Sequence, residues 1–112
     1  MDSIPHLTEV VKLMLTVQQR LANASKEIFR LAIEKAEKER DYRVAMSQEM
    51  LKLKSEGMAV GMINEVARGN VSELKFQRDV AEALFVAARE SISALQTEAS
   101  ILRAIYDKQT EV

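Results

Sequence analysis

The residues with the chemical potential to act as a site are few. His6 is the one histidine, and it stands beside the chain terminus. A metal centre wants three or four convergent donors, so an isolated imidazole there does not make one. Carboxylates are more numerous. Glu34 with Glu37, and Asp79 with Glu82, form i,i+3 pairs, while Glu34 and Asp41 lie a full heptad apart. Glu37, Glu39 and Asp41 spread around a helix instead of meeting on one face, and the Glu-x-x-His pattern of di-iron bundles is absent. Gly57, Gly61 and Gly69 are wrongly spaced for a phosphate loop, with no Lys-Ser or Lys-Thr after them. Ser47, Ser91, Ser93 and Ser100 have no histidine in a recognisable triad pattern. There is no cysteine, so thiol nucleophiles, thiolate metal sites and disulfides do not arise. The expectation is a protein that is not an enzyme and uses no cofactor or metal.

Composition indicates what those residues are built on. Three Gly and one Pro leave few chain breakers, and aromatics make up only 4%. Ala, Leu, Glu, Lys, Arg and Gln are abundant, the mark of long helices. A chain of 112 residues suits a single domain, 1–112. The net charge of −1 gives no general pull toward DNA, RNA or anionic lipid. The longest apolar run, Val10 to Val17, is interrupted by Lys12 and falls short of the ~20 residues that span a bilayer. Asp2 and Glu9 occupy the place of a basic leader, so a signal peptide is not expected. These points predict a cytoplasmic protein.

Three helices are predicted. The first covers about 4–55, opening at Asp2-Ser3-Ile4-Pro5, where a side-chain cap and an early proline suit a helix start. Its apolar residues Leu7, Val10, Met14, Val17, Leu21, Ala24, Ile28 and Leu31 alternate steps of three and four, the spacing of a heptad seam. From Glu34 to Arg43 the chain is nearly all charged. Alternating i,i+4 ladders (Arg30–Glu34–Lys38 and Lys35–Glu39–Arg43) carry the helix onward. Gly57 is a natural left-handed stop. A short helix follows at about 58–67, and Asn70 reads as the cap of a last helix at about 71–108. That helix carries two seam rows, Leu74, Ala81, Ala88, Leu95, Leu102 and Val71, Arg78, Phe85, Ile92, Ala99, Tyr106.

Two heptad helices with a short connection must fold back, so the fold is expected to be all-α: a long, coiled-coil-like antiparallel hairpin with a short connecting helix. The seam is read as Ile28, Met46, Met50 and Leu53 against Leu74, Phe85, Ile92, Leu95 and Leu102. Recurrent alanines make it thin, and a thin core at this length calls for completion by dimerisation into a bundle. Setting Leu53 opposite Val71 to Leu74 puts Leu21 beside Ile105, so the first helix outruns the last by roughly a dozen residues at 1.5 Å each. The overhang contains Leu7, Val10, Val11, Met14 and Val17, with Leu21 at its edge; it is predicted to pair with a copy of itself in a homodimer, the alternative being a separate helix folded back near Asn23-Ala24-Ser25. Arg78 interrupts the apolar seam near Glu49 in this register. It either lays its stem over the seam and pairs at the rim, or makes a register-fixing polar pair with Glu49. The methionines at 46, 50, 58 and 62 cluster around the turn as core filler or as an adaptable surface. Basic and acidic residues alternate through 26–43 without interleaved aromatics, so nucleic-acid binding is allowed but not signalled.

The later two-thirds of the chain resembles small helical proteins encoded in the early-gene regions of phages of Gram-positive bacteria. The match rests on the charged helix reaching Tyr42-Arg43-Val44-Ala45, the Ser55-Glu56-Gly57 break, and a short Ala-bearing connector. A final helix follows with Asp79-Val80-Ala81-Glu82 and a Leu95-Gln96…Leu102 ending. The resemblance implies a phage or prophage setting, with the host cytoplasm as location, and no particular activity. Two classes of function follow as expectations. One is a protein-binding module, such as an inhibitor of a host enzyme or defence nuclease that occludes a surface. The other is a nucleic-acid-associated accessory protein in phage replication or recombination.

Overall fold

The computed structural model describes residues 3–111, with side chains from His6 onward. The chain is an all-α antiparallel hairpin with a short connecting helix: α1 (Ser3–Ser55), α2 (Val60–Asn70) and α3 (Ser72–Thr110). Capping of α1 by Asp2 or Ser3 side chains lies outside the described residues. Among the described residues no helix is long and apolar enough to cross a membrane.

The end of α1 follows from Gly57. This residue adopts φ +83°, the only positive φ among the described residues. The Gly57 amide donates to the Lys54 carbonyl at 3.1 Å and the Met58 amide to the Leu53 carbonyl at 3.1 Å. That pair of bonds is a Schellman closure, which satisfies carbonyls the helix leaves orphaned. Met58 also packs on the Leu53 cluster, the hydrophobic contact that accompanies such a closure. The second break is slighter. Helix α2 passes through Gly69 to Asn70, and only Val71 leaves helical geometry, at φ −109° and ψ 19°. The Val71 amide still donates to the Ala67 carbonyl, and the Lys75 amide to the Val71 carbonyl, both at 3.1 Å. Asn70 therefore does not cap α3. Its amide donates to Glu49 Oε1 at 2.8 Å, a bond from the end of α2 to α1.

The chain divides into two compact units. Unit 1 combines Met1–Phe29 with Ala87–Val112. Its core is Val17, Leu95 and Leu102, with Met14, Leu21, Ala24 and Ala99 packed around them. Arg20 lies 3.9 Å from Glu98, so the expected pairing of Leu21 with Ile105 does not hold. The end of α3 reaches back along the first turns of α1, and the overhang disappears. Unit 2 is Arg30–Val86. Its core is Leu53, Ile63 and Ala67, with Met46, Met58 and Val66 packed on it. Within unit 2 Leu53 is used by α2, so α3 begins beside an earlier part of α1 than the two-helix register sets, with Arg78 at Tyr42 and Glu39.

Candidate interaction surfaces

In unit 2 the seam of α1 changes character. Counting on from Leu31 by steps of four and three gives Lys35, Lys38, Tyr42, Ala45 and Glu49, all half-buried. Four of the five carry polar or aromatic groups, so the α1–α3 contact here is a polar layer. Lys35 Nζ stands 5.3 Å from the centroid of the Phe85 ring, and Lys38 Nζ donates to Gln77 Oε1 at 3.5 Å. The Arg78 guanidinium lies over the Tyr42 ring, 4.4 Å from its centroid. A cation over an aromatic face contributes about 0.5–2 kcal/mol according to its desolvation, and the Arg78 side chain is 23% exposed.

The same guanidinium donates through Nη2 to Asp79 Oδ1 at 3.0 Å and through Nε at 3.2 Å. Its Nε is also 3.7 Å from Glu39 Oε2, an ion pair beyond hydrogen-bond length. Glu39 Oε1 accepts from Arg43 Nε at 2.8 Å, and Lys75 Nζ donates to Asp79 Oδ2 at 3.2 Å. Hydrogen bonds from Arg78 and then Lys75 hold the Asp79 carboxyl below its ordinary value, and the bond to Asp79 raises Arg78. A shallow groove of about 600 Å³ runs beside this layer, lined by Ala32, Ala36, Glu39, Arg43, Glu82 and Phe85 among others. Its charges are of both signs, and Glu39 pairs with both Arg43 and Arg78. Asp79 stays ionised near neutrality and can accept hydrogen bonds but has no proton to give. The arrangement suits fixing two helices in register more than transforming a substrate.

Arg78 thus lays its stem on the seam and pairs with Glu39 and Asp79. The expected Arg78–Glu49 pair is not formed, because the register sets Arg78 beside Tyr42 and Glu39, and Glu49 accepts from Asn70 instead. Of the seam residues, Leu53, Leu95 and Leu102 are buried, while Ile28, Met46, Leu74, Phe85 and Ile92 are half-buried. Met50 is the exception: it is exposed, at the edge of a groove that α1 forms with α2. The proposed self-association set is also redistributed. Val10 and Val17 are buried within the chain, Leu7, Met14 and Leu21 are half-buried, and only Val11 is exposed. All of them but Val11 belong to the inner seam of unit 1 and are covered within the chain itself. His6 is exposed, and no cluster able to hold a metal ion occurs among the described residues.

The sequence reading missed the apolar residues on outward faces. At the turn end of unit 2, Leu51 and Val60 are 67% and 82% exposed. With Met50, Lys54, Ile63 and Asn64 they line an open groove of about 330 Å³. In unit 1, Ile101 and Ile105 of α3 are exposed. The signal was present as a second set of three–four spacings, out of phase with the first. No family model, curated protein or solved structure matches the chain.

Proposed function

We propose that the protein is a non-enzymatic protein-binding module that covers part of a partner's surface through the turn end of unit 2. One observation supports this reading. Met50, Leu51 and Val60 stand exposed around the edge of a groove whose floor is the buried Ile63. What sets these residues apart from single exposed apolar side chains is that they border one concave, mostly apolar groove, a shape a partner side chain can enter. A methionine at the rim adapts to the shape of whatever docks. The resemblance to phage early-region proteins gives the module a form: an inhibitor that occludes a host enzyme or defence nuclease.

The test is affinity capture from host lysate with the wild-type chain and a Leu51→Asp/Val60→Asp variant. Both residues are exposed, so the variant keeps its helical circular dichroism. A specific partner retained by the wild type and lost at least tenfold by the variant supports the reading. Equal retention by both, or no partner with steep salt-dependent retention on DNA, overturns it; the latter result favours the nucleic-acid accessory role.

A further inference from the structure

Helix α2 has little of its own to hold it together. It is 11 residues long, and helices under ~12–15 residues are marginal in water. Gly61 and Gly69 lower its propensity further. Ala59 stands at its N-cap with no side-chain hydrogen bond, and its first turn carries no acid, so neither a cap nor the helix dipole supports that end. The Asn70–Glu49 bond ties the far end to α1. The rest of its hold is the apolar core it shares with the end of α1.

Leu53, Ile63 and Ala67 are buried in that core, and Met46, Met58 and Val66 pack on them. Of its four large side chains, Leu53, Ile63, Met46 and Met58, two are thioethers. Both methionines are half-buried, so each touches the core while part of it meets water. Met58 has a second task. It supplies the hydrophobic contact of the Schellman closure, and its amide donates to the Leu53 carbonyl at 3.1 Å. Met50 and Met62 are exposed and stand outside this core.

We propose that Met46 and Met58 are oxidation sites through which a hydroperoxide loosens α2 from α1. The thioether sulfur attacks the outer oxygen of the hydroperoxide, and the O–O bond breaks as the S–O bond forms. Sulfur gives up two electrons, and the leaving oxygen takes the proton of the oxygen transferred. Hydrogen peroxide thus yields one sulfoxide and one water. A sulfoxide is polar where the thioether was apolar. It either stays in the core without a hydrogen-bond partner or turns out to water and leaves a gap, and both weaken the packing. Methionine sulfoxide reductases return the thioether, so the change is reversible. Ile63 belongs to this core and also floors the turn-end groove, so the same step alters that surface.

Amide hydrogen exchange combined with peptide mapping tests it. Every chain used carries Met14→Leu, because Met14 packs on the core of unit 1. Once hydrogen peroxide has converted Met46 and Met58, the amides of α2 are expected to exchange about tenfold faster, and a methionine sulfoxide reductase to restore the slow rate. Met46→Leu/Met58→Leu keeps the volume of the core and should keep slow exchange in peroxide. Met50→Leu/Met62→Leu should stay as sensitive as the parent. Should the first pair fail to fold, Met58→Gln places a polar group of similar length there without oxidant, and fast exchange of α2 is again expected. Three results overturn the proposal: Met46 and Met58 left as thioethers while Met50 and Met62 oxidise, α2 exchange unchanged by their oxidation or by Met58→Gln, or a sensitivity that disappears with Met50 and Met62. No partner takes part in these measurements, so this proposal and the docking reading fail separately.

Discussion

The guanidinium of Arg78 lies flat over the ring of Tyr42, 4.4 Å from its centroid, and joins α3 to α1 where the apolar seam gives way. Replacing Arg78 by Ala removes the stack, the bond to Asp79 and the approach to Glu39 together. A loss of about 1–2 kcal/mol in urea denaturation is expected. Arg78→Lys keeps the charge but not the planar stack, and should fall between the two. A null effect from Arg78→Ala would show that the polar layer holds nothing.

Asp79 gives the layer a dependence on pH. Its folded carboxyl is held below the usual value by Arg78 and Lys75. A depressed acid contributes stability that is present above its unfolded pKa of about 3.9 and is lost as pH falls through the lower folded value. The Asp79 carboxyl, followed by NMR, is expected to titrate below the ordinary aspartate range, and to return toward it in Arg78→Ala. Asp79→Asn should remove its share of the acid sensitivity without changing stability differences above pH 5. An unshifted titration in the wild type would contradict the hydrogen bonds described.

Burial in unit 1 predicts a sharp contrast along α1 and α3. Leu95 is 5% exposed in a cluster with Val17 and Leu102. Leu95→Ala should cost about 2–4 kcal/mol, through lost transfer energy and a residual cavity. Leu15 is 67% exposed, and Leu15→Ala should stay within about 0.5 kcal/mol. Comparable losses at the two positions would mean that α1 presents a different face to α3.

The glycines separate in the same way. Gly57 needs its positive φ, so Gly57→Ala should destabilise by about 1–2 kcal/mol. Gly61 and Gly69 are helical, and a Cβ at either would meet nothing. Ala at each should therefore stabilise by about 0.5–1 kcal/mol, seen as a higher midpoint of thermal unfolding.

The helices were legible in the sequence because spacing alone reports them. Leu7 to Leu31 and Val71 to Tyr106 keep their three–four steps, and every one of those positions is buried or half-buried. The stop at Gly57 was legible for a similar reason, since few residues accept its backbone angle. Register was not. Spacing shows that Leu53 faces something apolar, but not whether that is α3 or α2. The choice of Ile63 and Ala67 as its neighbours is a competition among side chains far apart in sequence. Setting Leu53 against α3 displaced all later pairings, including Arg78 with Glu49 and the overhang of Leu7 to Val17. The outer faces were missed because attention to one phase of the repeat hides a second phase in the same residues.

The junction between α2 and α3 has a consequence for how the chain reverses. Backbone hydrogen bonds pass from Ala67 to Val71 and on to Lys75 almost as in one continuous helix, and no proline or left-handed glycine forces a corner there. The departure from helix at Val71 accompanies the packing of Ile63 and Ala67 with Leu53. The direction in which α3 departs then follows from side chains one and two turns back, and the backbone at Val71 yields to them.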